Sequence, residues 1–212
     1  MTIYLDSAII SEAQTAKELG WVKGITTNPT LLSKTDLPVE TTLKELAKLT
    51  DGPVYYQLIS SELDEMVKEG RKAFEIIGYQ TVLKIPATIV GFQAVTLLSP
   101  EITCSVTAIY SPAQAAVAKE AGAKYAIAYV NRATKLLGDG IALVREMASI
   151  LANSNTEILA ASIKSPEEAA ASLQAGAHHL TLPLSMLQAM ATNQLSLQTV
   201  EDFKKNGRGI SY

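Results

Sequence analysis

The sequence predicts an α/β protein: a single-domain (β/α)8 barrel, the TIM barrel, with an extra helix near the C-terminus. Three observations lead there. Short β-type runs alternate with helical patterns along the chain, which implies a parallel sheet. Eight such units share 212 residues, about 26 each, near the short end for a closed barrel. The rival is an open doubly wound sheet, which usually carries a glycine-rich phosphate turn after its first strand. Here that turn reads Asp6-Ser7-Ala8, without glycine. No linker, low-complexity tract or charge run divides the chain. Residues 1–212 are therefore read as one domain, with a helical segment over about 196–206.

Strands are predicted over Thr2–Ser7, Gly24–Asn28, Val54–Ser60, Thr81–Pro86, Ile102–Ile109, Tyr125–Asn131, Glu157–Ser162 and His178–Leu184. A helix over Ser11–Leu19 would open on a serine cap. Val39–Leu49 groups Leu43, Leu46, Ala47 and Leu49 on one face, with Glu40, Lys44 and Lys48 outside. Glu62–Ile77 repeats this pattern with Leu63, Met66, Val67, Ala73 and Phe74. Ser111–Glu120 opens on Ser-Pro, a cap followed by proline at the first helical position. Gly140–Leu151 and Ser165–Ala175 follow, then Ser185–Ala191 and Leu197–Lys205. The segments Glu120-Ala-Gly-Ala-Lys and Gln174-Ala-Gly-Ala-His each precede a strand and read as helix ends closed by glycine.

Composition removes several function classes. Lys plus Arg is 18 and Asp plus Glu 21, a net charge of −3 without a basic block. That argues against nucleic-acid binding. No apolar run reaches the roughly 18 residues of a membrane span. The start, Met1-Thr2-Ile3-Tyr4-Leu5-Asp6, lacks a basic stretch before an apolar core, so no signal peptide is read there. One cysteine, Cys104, cannot form an intramolecular disulfide and fits a reducing, cytoplasmic setting. The two histidines, His178 and His179, are adjacent on a strand, so they face opposite sides and cannot share a metal. No metal and no cofactor is expected, and catalysis would rest on Lys, Tyr, Asp and amides.

In such a barrel, polar residues at the C-terminal ends of strands are the candidates for chemistry. Read in order they are Asp6, Thr27 and Asn28, Gln57, Lys84, Ser105 and Thr107, Tyr129 and Arg132, and Ser162. Lys84 lies in Val82-Leu83-Lys84-Ile85-Pro86, among aliphatics. Buried there, its ammonium is disfavoured, which makes a nucleophile for Schiff-base chemistry. An interior pair of Lys84 with Asp6 would explain the same pattern without chemistry. Tyr129 can relay protons, or simply fill the barrel. Gln57 and Thr107 can hold a water between them, while Asp6 and Asn28 can hydrogen-bond substrate hydroxyls. Arg132, Ser162 and Lys164 suggest a phosphate site, next to a helix start at Lys164-Ser-Pro-Glu-Glu. Lys164 reads equally well as a solvated surface cation.

These residues resemble the transaldolase family, in particular its short-chain branch of fructose-6-phosphate aldolases. The resemblance runs nearly end to end. Its most specific elements are Thr26-Thr27-Asn28-Pro29 and Lys84-Ile85-Pro86, with Tyr4-Leu5-Asp6, Thr107-Ala108-Ile109-Tyr110, Tyr129-Val130-Asn131-Arg132 and Thr181-Leu182-Pro183. It implies that Lys84 is the Schiff-base lysine, that Asp6 assists proton transfer, and that Arg132 and Ser162 contact phosphate. It implies no metal, phosphosugar and small ketone or aldehyde substrates, and homo-oligomers built from pentameric rings, pentamer or decamer, with a C-terminal helix swapped onto a neighbour. Transaldolases carry Glu and Phe where this chain has Gln57 and Tyr129, so the resemblance points to the aldolase. Ile127 stands where transaldolases carry Ser and the aldolases Ala, and Ser105 where transaldolases carry Asn. Both would alter the site for the ketone donor, towards hydroxyacetone or a smaller carbonyl. The expected reaction is cleavage or formation of fructose 6-phosphate from dihydroxyacetone and glyceraldehyde 3-phosphate. Transfer of the dihydroxyacetone unit to an aldose phosphate is the alternative, and a silent phosphosugar-binding barrel the second.

Overall fold

The computed structural model describes residues 1–210. Eight parallel strands close into a barrel in sequence order, the last pairing with the first. They are β1 (Thr2–Asp6), β2 (Ile25–Thr26), β3 (Val54–Gln57), β4 (Thr81–Pro86), β5 (Thr103–Ile109), β6 (Tyr125–Tyr129), β7 (Glu157–Ala161) and β8 (His179–Leu182). The helices are α1 (Ile10–Glu18), α2 (Pro29–Leu32), α3 (Val39–Lys48), α4 (Leu63–Ile77), α5 (Ile89–Leu98), α6 (Pro112–Glu120), α7 (Val130–Leu137), α8 (Gly140–Ile150), α9 (Pro166–Gln174), α10 (Leu184–Met190) and α11 (Gln194–Asn206).

Strand parity sorts the side chains. Leu5, Leu83, Ile85, Val106 and Leu180 point outward and meet the helices, forming the larger core. Tyr4, Tyr55, Val82, Ile127 and Leu159 fill the barrel interior. Alternation along a strand sends neighbours to opposite faces, so a barrel has two apolar sets and one of them is its packed centre.

Three helices depart from the sequence reading. α5 was not predicted, because Ile89-Val-Gly-Phe-Gln-Ala-Val-Thr-Leu-Leu is apolar almost all round and shows no polar face. α7 takes residues expected to continue the sixth strand: that strand stops at Tyr129. α2 follows directly from Asn28, whose side chain accepts from the Leu31 N–H at 3.0 Å. Strand ends are also shorter than expected, most of all in β2, which keeps two residues. The expected Ser11 cap is absent. α1 starts earlier, from Ile9, and Ser7 instead accepts from the Ile9 N–H at 3.1 Å. The glycine-closed helix ends are present: Gly122 and Gly176 follow α6 and α9 with φ of 93° and 108°, values that favour glycine.

Away from the strand ends, His179 opens β8 while His178, expected on the same strand, lies just before it. His179 is buried at the base of the barrel, where it meets Thr2 and lies 3.1 Å from Glu157. The His178 ring accepts from the Ile158 N–H at 3.0 Å. Cys104 is buried in the outer core, which pushes its thiol up to about 12.

Candidate active site

The loops after the C-terminal strand ends surround a cavity of about 400 Å³. Lys84 forms its floor. β4 carries it between Leu83 and Ile85, both turned outward, so its own side chain faces inward, in register with Gln57 on one side and Ser105 on the other. It is 4 % exposed. Its ammonium donates to the Thr27 carbonyl at 2.8 Å, not to the Asp6 carboxylate. Burial lowers the lysine below its ordinary value, and the charge of nearby Asp6 opposes this. A buried amine with one carbonyl partner and a lowered proton affinity suits attack on a carbonyl carbon.

The walls come from different strands. The Asp6 carboxylate accepts from Thr26 Oγ1 at 2.8 Å, and Thr26 meets the Thr181 hydroxyl in turn. This chain of hydroxyls orients Asp6 toward the cavity. Tyr129 ends β6, and its phenol lies 2.8 Å from the Thr107 hydroxyl. Burial pushes the phenol up, with Thr107 and Arg132 acting against it. Thr107 reaches Tyr129 because β5 bulges there: its register with β6 shifts between Val106 and Ile109, and Ala108 sits at φ 60°. Gln57 also lines the cavity, and its Oε1 is buried without a protein partner. A buried, unpaired amide oxygen is costly unless a water or a substrate meets it.

The rim is cationic. Arg132, in the first turn of α7, holds its guanidinium 5.2 Å from the centre of the Tyr129 ring. Ser162 follows β7 with φ 60°, strained for a residue with a side chain. Lys164 also borders the cavity. The helix start beside it is less open to an anion than expected, because Glu168 of α9 itself accepts from the Lys164 N–H at 2.6 Å and from the Asn131 amide at 3.3 Å.

Nine of the twelve candidates thus converge, Thr107 through its bond to Tyr129. Like Thr107, the other three do not line the cavity themselves. The Thr27 hydroxyl is taken by the Tyr55 carbonyl at 2.7 Å. Ser105 donates to the Leu83 carbonyl at 2.8 Å. Ile127, 1 % exposed, packs in the barrel interior. Thr181, the polar residue that the eighth strand offers before Pro183, does line it, and so do the α2 residues Pro29 to Leu31, which the sequence did not single out. For α2 the signal was present: Asn28-Pro29 is the same cap-proline pair that marked α6 and α9. A hollow of about 360 Å³ at the opposite end, bordered by Lys17, Lys23 and Asp51, gathers no comparable set of buried polar groups.

The transaldolase/fructose-6-phosphate aldolase family matches residues 3–209. This chain belongs to that family. A probable transaldolase of Aquifex aeolicus (strain VF5) is 37% identical over 209 residues, covering 97% of this chain and 96% of that protein. A probable transaldolase of Clostridium kluyveri (strain ATCC 8527) is 37% identical over 213 residues, 99% of each. The protein is therefore an enzyme of the transaldolase/aldolase type, and phosphosugars are the substrate class of its family. Among solved structures, a mandelate oxidase variant superposes with a TM-score of 0.63 over 94% of this chain and 70% of that one, at 16% identity. A Pediococcus acidilactici protein named as a lactate oxidase gives 0.65 over 100% and 76%, at 15%. Such identities speak for the barrel alone. No helix is long and apolar enough to cross a membrane among the described residues.

Proposed function

We propose that this enzyme is a class I aldolase that cleaves fructose 6-phosphate, or forms it, through an imine on Lys84. One observation carries the reading: a buried amine forms the floor of a cavity whose rim holds two exposed cations, Arg132 and Lys164. A substrate with a carbonyl at one end and a phosphate at the other matches that polarity.

Lys84 attacks the ketose C2, and loss of water gives the imine. A base takes the C4 hydroxyl proton, the C3–C4 bond breaks, and glyceraldehyde 3-phosphate leaves. The electron pair remains on the enamine, which is protonated at C3 and hydrolysed to dihydroxyacetone. Tyr129, tied to Thr107, suits the proton transfers, and Asp6 the donor hydroxyls. The unpaired Gln57 Oε1 suits the hydrolytic water. Ser162 and Arg132 would hold the phosphate, with Asn28 on the sugar chain.

The relatives' names support a second reading, transfer of the dihydroxyacetone unit to an aldose phosphate such as erythrose 4-phosphate. Release of glyceraldehyde 3-phosphate from fructose 6-phosphate, with and without that acceptor, separates the two. Release without acceptor is expected. Release only with it makes the enzyme a transaldolase.

A homo-oligomer belongs to this proposal. α11 has no buried residue and exposes Leu195, Leu197, Val200 and Phe203. Such an apolar face calls for a partner, and a second copy is the proposed one. A cytoplasmic setting fits the single cysteine.

A further inference from the structure

Beyond Gln57 the chain leaves the barrel. The Leu58 N–H still donates to the Lys84 carbonyl at 3.0 Å. Ile59 and Ser60 then turn toward α4, and their N–H groups have no strand to pair with. One side chain meets them. Glu69, in the middle of α4, accepts from the Ile59 N–H at 3.1 and 3.2 Å, from the Ser60 N–H at 3.0 Å and from Ser60 Oγ at 2.7 Å. It also accepts from the Tyr56 hydroxyl at 2.8 Å. Four donors, one from the end of β3 and three from the turn after it, therefore converge on one carboxylate. The lysines of the same helix pair elsewhere, Lys68 with Glu65 and Lys72 with Glu40. Burial and the Glu69 charge together push the Tyr56 phenol up, so it stays a donor.

The residues held in this way, Tyr56 and Ile59 to Ser60, bracket Gln57. Gln57 itself has no partner for its Oε1. Its carboxamide is therefore placed by the backbone on either side, and that backbone is fixed from outside the barrel. We propose that Glu69 is a positioning residue for Gln57, holding the turn after β3 so that the amide meets the water that hydrolyses the enamine-derived imine. This rests on the aldolase reading above. A carboxylate is the required group, because all four contacts are donors and an amide would present its NH2 to some of them.

The test is a double-mutant cycle. Glu69→Gln is expected to lower acceptor-free release of glyceraldehyde 3-phosphate roughly tenfold to a hundredfold, the cost of a misplaced group. Borohydride trapping of the Lys84 imine and the KM for fructose 6-phosphate are expected to stay near wild type. Gln57→Ala is expected to produce a similar loss, and the double variant little more than either. Losses that multiply in the double variant, or a parallel fall in trapping, would overturn the proposal. Should Glu69→Gln fail to fold, Tyr56→Phe with Ser60→Ala leaves the carboxylate and its two backbone contacts. That pair should give a smaller loss that again vanishes in the Gln57→Ala background, and additive losses would again count against the idea. A wild type that releases product only with an acceptor removes the aldolase reading. The same cycle, run on the transfer rate, then tests the positioning by itself.

Discussion

Lys84 is the residue on which the chemistry turns. Its burial lowers the ammonium, so the neutral nucleophile is reached at a pH below the usual lysine value of about 10.4. The sign follows: activity rises with pH through the lowered lysine value, then falls only where the raised Tyr129 phenol ionises. We expect a kcat/KM profile with its rising limb below the ordinary lysine range, and Lys84→Met to lose both turnover and borohydride trapping. Tyr129→Phe, which removes the proton carrier and its Thr107 contact, should cost roughly 10² to 10⁴ in turnover while trapping persists. Lys84 was legible because a charged residue inside an aliphatic run is rare. Glu69 was not. In sequence it is one more acid on the polar side of a helix, and only the turn folded against it shows its use.

Elements divide in the same way. Cap-proline pairs and glycine ends mark helices locally, so α6 and α9 were readable. α5 was not, because helical periodicity needs contrast and this helix has almost none. Its start leaves little room: a Cβ on Gly91 would come within 2.0 Å of the Pro86 carbonyl oxygen. Pro86 ends the strand that carries Lys84. Gly91→Ala should therefore destabilise the protein by about 2 kcal/mol or more and disturb the site as well. Thermal unfolding checks the first effect and imine trapping the second. Gly78→Ala is the useful contrast, since nothing crowds a Cβ there and only its φ of 82° resists the change.

The whole molecule combines a filled barrel with an apolar arm. If α11 covers a second copy, Phe203→Glu should reduce the mass seen by light scattering while leaving the barrel's circular dichroism intact. An unchanged mass would remove that surface from the interface. Cys104 reports on the barrel itself. Buried, with its thiol raised to about 12, it should resist alkylation at pH 8 until the fold opens. Modification of the native enzyme on mixing would contradict that burial.

The order of the strands, the barrel they close and most of the polar ring at its mouth follow from the chain alone. Period-2 alternation and helix ends are local properties, written in neighbouring residues. How deep each inward side chain sits was decided only by the tertiary structure. Depth depends on the stagger between strands and on the bulge at Ala108, neither of which is local. Hence Thr107 meets Tyr129, whereas Ser105, two residues earlier on the same strand, spends its hydroxyl on the Leu83 carbonyl. Ile127 likewise lies in the filled interior, two residues before Tyr129 reaches the cavity wall. Strand parity says which way a side chain points, and only the assembled barrel says what it meets.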